Sequence, residues 1–153
     1  MRVSYHKFRR LSRLEKRLLL QALFLLPLVA LTTKLFGFKS TQCGLATLAP
    51  SGNGRNHNLA IKQLHAFITA KMVRAATRHG AYRANCLHQS LVLWWLLRRQ
   101  GIESDLRIGV HKTGGSLAAH AWVERLGHVL NGSDDVHKCF AAFGRSIVPG
   151  ELK

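Results

Sequence analysis

A chain of 153 residues that is 47% hydrophobic has material for one compact core and an appendage, which excludes disorder throughout. Its 23 Lys and Arg against seven acids, a net charge of +16, attract phosphates, anionic lipid surfaces or acidic peptides. No nucleic-acid motif or aromatic platform accompanies that charge, and three cysteines without CxxC spacing (Cys43, Cys86, Cys139) exclude a disulfide scaffold and a zinc knuckle.

The first 17 residues carry seven Lys and Arg and lead into the apolar run LLLQALFLLPLVAL, residues 18–31. That run is shorter than the roughly 20 residues a bilayer core requires, and Gln21 and Pro27 interrupt it. The segment therefore reads as a basic amphipathic helix starting near Ser12 and kinked or ended near Pro27, packed on the domain or lying on a membrane surface. Residues 39–58, rich in Gly, Ser, Asn and Thr, read as a linker, dividing the chain into a segment 1–58 and a domain 59–153.

From Leu59 to His79 apolar residues recur at three and four, an amphipathic helix that Gly80 stops. Residues 86–99, CLHQSLVLWWLLRR, leave almost no polar face, so this helix, capped by Asn85 and ended by Gly101, belongs at the buried centre. In DLRIGVH, Leu106, Ile108 and Val110 alternate with polar neighbours as in a strand, and Gly114 and Gly115 turn the chain into a second strand, 117–124. A turn at 125–127, a short strand HVLN and a final helix VHKCFAAF capped by Asp134 or Asp135 complete the reading.

Cys86 opens the apolar helix, where unpaired N–H groups and the dipole favour negative charge, as a thiolate nucleophile and an oxyanion both need. His120 sits mid-strand on the face of Trp122 and Glu124, while Ala119, Ala121 and Val123 serve the other face, so the imidazole is not required for packing. It is the candidate base. In a tight hairpin the positions opposite His120 fall near 131–133, which makes Asn131, Asp134 and Asp135 candidates to orient the ring. Asp134 and Asp135 serve equally well as turn and cap residues. Cys43, placed in a loop, and Cys139, on an apolar helix face, read as non-catalytic; His79, His88, His111, His128 and His137 read as surface or rim residues. The nine histidines show no HExxH or other regular ligand spacing, so neither a metal nor another cofactor is expected.

The stretch NCLHQSLVLWWLLRRQGIESDLRIGVHKTGG, then AHAWVE, then VLNGSDDV and FAAF resemble the stand-alone leader peptidases of lasso-peptide biosynthesis, within the transglutaminase-like superfamily. The basic, leucine-rich N-terminal segment resembles them too. The resemblance implies an α+β, transglutaminase-like (papain-like) fold, with the nucleophile helix packed on a small antiparallel sheet and an N-terminal helical extension. It implies a cysteine peptidase that removes the leader of a ribosomally made precursor peptide, beside a separate leader-recognition protein and a macrolactam-forming cyclase; the cysteine usage itself fits a reducing cytoplasm. The partner would dock through the N-terminal helix or the basic surface, and deleting residues 1–50 would then abolish partner-dependent cleavage. In similar sequences an aspartate follows the residue matching Asn131, where this chain has Gly132, so Asn131 or Asp134 is left for the third role. Two further readings share the residues: a transglutaminase or amidase using the same Cys and His, and a non-enzymatic basic module at a membrane surface.

Overall fold

The computed structural model describes residues 11–49, 58–80, 82–113, 116–132 and 141–142. Three helices, α1 (Arg13–Leu48), α2 (Leu59–His79) and α3 (Cys86–Arg99), precede β1 (Asp105–Thr113), β2 (Ser116–Arg125), β3 (His128–Val129) and β4 (Ala141–Ala142). The architecture is α+β, as the sequence led us to expect. The strands form one antiparallel sheet in the order β3-β2-β1-β4.

Helix α1 begins with a capping box: the Ser12 hydroxyl accepts from the Glu15 N–H, and the Glu15 carboxylate accepts from the Ser12 N–H. Three features of this segment differ from the expectation. Pro27 lies inside the helix, since its neighbours supply the remaining hydrogen bonds and only one is forfeited. The break falls instead at Gly37, whose φ of 78° is open to a residue without a Cβ. Residues 39–48 are helical, so the loop reading is overturned there, and Cys43 sits on an exposed helical position.

A straight 36-residue helix would span about 54 Å. Instead, Leu14, Leu18 and Gln21 share a cleft with Leu96 and Gln100 of α3, while the Ala49 carbonyl accepts a 2.7 Å hydrogen bond from Arg98. Both ends of α1 therefore reach the last turn of α3, and the chain folds back at Gly37 into two arms, residues 13–36 and 38–48. Leu26 and Val29 of the first arm and Ala46 of the second enter the same core as α2 and α3.

At the centre, Ser90 to Leu97 of α3 are buried without interruption. The helix ends in a Schellman motif: Ile102 N–H donates to the Leu97 carbonyl and Gly101 N–H to that of Arg98, with Gly101 at φ 68°. Ile102 and Leu97 both join the core. In the last turn the Arg98 and Arg99 guanidiniums lie 5.6 and 4.9 Å from the Trp94 and Trp95 ring centroids.

Leu106 of β1 and Val123 of β2, paired across the sheet, face the helical core. The β2–β3 hairpin turns on Leu126 and Gly127, both at positive φ, the combination that matches the twist of paired strands. The expected final helix is overturned where the chain is described, because Ala141 and Ala142 pair with β1; its other residues, with Cys139 and His137, lie outside the described residues.

Candidate active site

Cys86 is the first residue of α3 and half-buried. The Asn85 side chain accepts a 2.9 Å hydrogen bond from the His88 N–H, and the Gln89 amide donates to the Ala84 carbonyl at 3.2 Å. These two bonds fix the loop that delivers the thiol. His88, expected at the surface, is buried, and its Nδ1 lies 3.0 Å from the Tyr82 hydroxyl. Burial pushes its pKa down, which favours the neutral ring beside the tyrosine hydroxyl.

His120 projects from the sheet face opposite the helical core, with Trp122 and Glu124 beside it. The Glu124 carboxylate accepts from the Trp122 indole N–H and pairs with Arg107 at 3.4 Å. Thus held, Trp122 stacks on the His120 ring with centroids 6.1 Å apart and planes 17° from parallel. Across the ladder His120 is in register with Gly109, which is in turn in register with Ala142, so its described partners in that row are small residues. Desolvation lowers the His120 pKa, which keeps the ring neutral and ready to take a proton.

Strand β3 stops at Val129, so among the described residues the Val123 N–H and the Ala121 carbonyl, which point the same way by strand alternation, have no backbone partner in β3. Side chains fill that gap. Asn131 Oδ1 accepts from the Val123 N–H at 2.7 Å, Asn131 Nδ2 donates to Ser90 Oγ at 2.8 Å, and Ser90 Oγ donates to the Ala121 carbonyl at 2.9 Å. Ser90 lies one helical turn, about 6 Å, beyond Cys86, and Ala121 is the residue after His120. The second turn of α3 is thus fastened to β2 at Ala121, the residue after His120.

The hydrogen bonds of Asn131 go to Val123 and Ser90, and neither goes to His120. The register explains this. Leu130 continues the ladder through its N–H to the Val123 carbonyl, so Asn131 lies short of the position opposite His120. Asp134 and Asp135 lie outside the described residues. Among the described residues no three His, Cys, Asp or Glu side chains are grouped as a metal site. Sequence reasoning missed Ser90, Arg107 and Gly109; a serine inside an otherwise apolar helix was the one signal available.

The family model described as Transglutaminase-like superfamily matches residues 25–144, a span that includes both Cys86 and His120. The chain belongs to the transglutaminase-like superfamily. That superfamily includes cysteine peptidases and transglutaminases, whose shared chemistry is acyl transfer through a cysteine. No curated protein and no solved structure is significantly similar to the chain. The superfamily match begins inside α1, in keeping with the contribution of that helix to the core.

Proposed function

We propose that this superfamily member is a cysteine peptidase that removes the leader from a lasso-peptide precursor, with Cys86 as nucleophile and His120 as base. The observation that carries the reading is the Ser90–Ala121 hydrogen bond, which fastens the nucleophile helix to the strand beside His120. The resemblance of residues 85–143 to the stand-alone leader peptidases supplies the substrate class.

In the first step His120 takes the Cys86 thiol proton, and the sulfur attacks the carbonyl carbon of the bond joining leader to core peptide. The C–N bond breaks, His120 returns the proton to the leaving amine, and the leader is held as a thioester. Water, deprotonated by His120, then splits the thioester into the leader acid and free thiol. Backbone N–H groups at the start of α3 suit the oxyanion formed in each half. Asp134 or Asp135 is the group to orient the imidazole, since the Asn131 amide is engaged with Val123 and Ser90. A separate leader-recognition protein presents the precursor, and the cyclase consumes the freed core.

The test is a mixture of the purified protein, a precursor peptide encoded beside its gene and the neighbouring leader-binding protein, read by mass. Cleavage at one bond by wild type and none by Cys86→Ala is expected. A product carrying an added amine instead of water would assign the same thioester to a transglutaminase. An intact precursor together with a Cys86 thiol inert to electrophiles would remove the enzyme reading.

A further inference from the structure

The first arm of α1 is apolar on two sides, and the fold covers one of them. Leu18, Ala22, Leu26 and Val29 are buried, whereas Leu20, Phe24, Leu28, Leu31 and Leu35, also spaced at three and four, form a second stripe in solvent. Phe24 is 71% exposed and Leu35 63%, and Phe36, at the Gly37 fold-back, is 67% exposed. A helix apolar on both sides is ordinarily buried on both. Among the described residues the outer stripe contributes nothing to the core, and an exposed patch of that extent marks an interaction surface.

The charges around the stripe select its occupant. Arg13 and Arg17 continue the line of Leu20 toward the N-terminus, and Lys34 stands beside Leu35 at the other end. Seven of the first 17 residues are Lys or Arg. The single acid of the helix, Glu15, is used in the Ser12 capping box and by Lys71, 3.5 Å away. A seam for a partner helix is ordinarily flanked by charges of both signs, which specify register. On the helix itself only cations flank the stripe, the arrangement of a helix lying in the headgroup region of an anionic bilayer.

We propose that residues 13–36 dock the protein on an anionic phospholipid surface, with Leu20, Phe24, Leu28, Leu31 and Leu35 entering the acyl boundary and Arg13, Arg17 and Lys34 meeting headgroup phosphates. Helix α1 is long and apolar enough to cross a bilayer by length and composition alone. Its inner stripe, however, is already committed to the core and its two arms fold back on α3, which leaves one face for lipid. The docking holds the candidate active site at the surface of the membrane, and it stands independently of the peptidase reading.

The full-length protein is floated with vesicles of phosphatidylcholine alone or with phosphatidylglycerol, at low and high salt. Phe24→Glu/Leu31→Glu is run alongside, after circular dichroism has checked that the variant melts as wild type does; both positions are exposed, so the core is untouched. Docking is supported if wild type floats with anionic vesicles, floats at least tenfold less with neutral ones or at high salt, and loses flotation in the double variant. Arg17→Glu/Lys34→Glu should show an intermediate loss. The proposal is overturned by a wild type that stays with the soluble fraction, or by equal flotation of a folded Phe24→Glu/Leu31→Glu. Resistance to alkaline extraction, which marks a spanning helix, would also overturn it. So would a dimer in sedimentation that the double variant dissolves, since the stripe would then belong to a second copy.

Discussion

Ser90 has no exposed surface, and its hydroxyl stands between the Ala121 carbonyl and the Asn131 amide. Ser90→Ala removes both bonds and leaves two partners buried without water, a loss of about 1–3 kcal/mol expected as a lower denaturant midpoint at unchanged m-value. Because the same hydroxyl fastens the nucleophile helix to the residue after His120, turnover should fall more than thermal stability alone accounts for. Activity of a folded Ser90→Ala equal to wild type would deny it that part. Two histidines, His88 buried and His120 half-buried, set an acid limit. His88 and His120 both have folded-state pKa values lowered by burial, so the unfolded chain binds their protons more readily. Their stabilising share is complete above the ordinary imidazole value of about 6.5 and declines as pH falls below it toward the folded values. Thermal melts from pH 8 to 5 should show that loss, and His88→Gln should reduce it; a flat profile would contradict the neutral assignment. With His120 acting as a neutral base, the acid limb of kcat/KM should lie below pH 6.5.

At the level of elements, the boundaries of α2 and α3 were the most readable part of the sequence, although not always for the reason that made them readable. Gly80 ends α2, as expected of a glycine after an apolar repeat. Its φ is −72°, however, so it is not there for left-handed backbone. The reason is space: a Cβ at residue 80 would meet the Ala76 carbonyl oxygen at 2.5 Å and Leu23 of α1 at 3.1 Å. Gly80→Ala should therefore cost about 1–3 kcal/mol through forced displacement, measurable as a lower Tm. Gly37 presents the opposite case, with nothing within 4 Å of a Cβ but a φ of 78°. Gly37→Ala should strain the fold-back by about 1 kcal/mol, visible in a chemical melt. Pro27 drew attention as the breaker because it lacks an N–H, yet packing of Leu26 and Val29 on either side holds the helix through it. Among the strands, the hairpin of β1 with β2 followed from alternation and paired glycines. The length of β3 did not, and that length decides that Asn131 serves the strand edge rather than the position across from His120.

For the whole molecule, the N-terminal helix belongs to the core and also carries an apolar face outward. Deleting residues 1–50 removes Leu18, Ala22, Leu26, Val29, Ala46 and Ala49 from the core, so the truncated chain should fail to fold. A loss of far-ultraviolet helicity and of a cooperative melt would show it. A folded truncation would mean that α2, α3 and the sheet suffice. Partner docking is consequently tested by substitutions on the outer stripe and not by truncation. The sequence by itself determined α2, α3 and the first hairpin, because periodicity, caps and turn residues act over a few neighbours. It also determined the superfamily, because the order of the Cys86 helix, the His120 strand and the following turn is written along the chain. Tertiary structure alone decided the fold-back at Gly37, the burial of His88 against Tyr82, and the Asn131–Ser90–Ala121 bridge. Each of these depends on which residues meet after the chain has doubled back. The hydrogen bonds of the bridge close gaps of 31 and 41 residues, and only packing of α3 against the open edge of β2 brings those partners within reach.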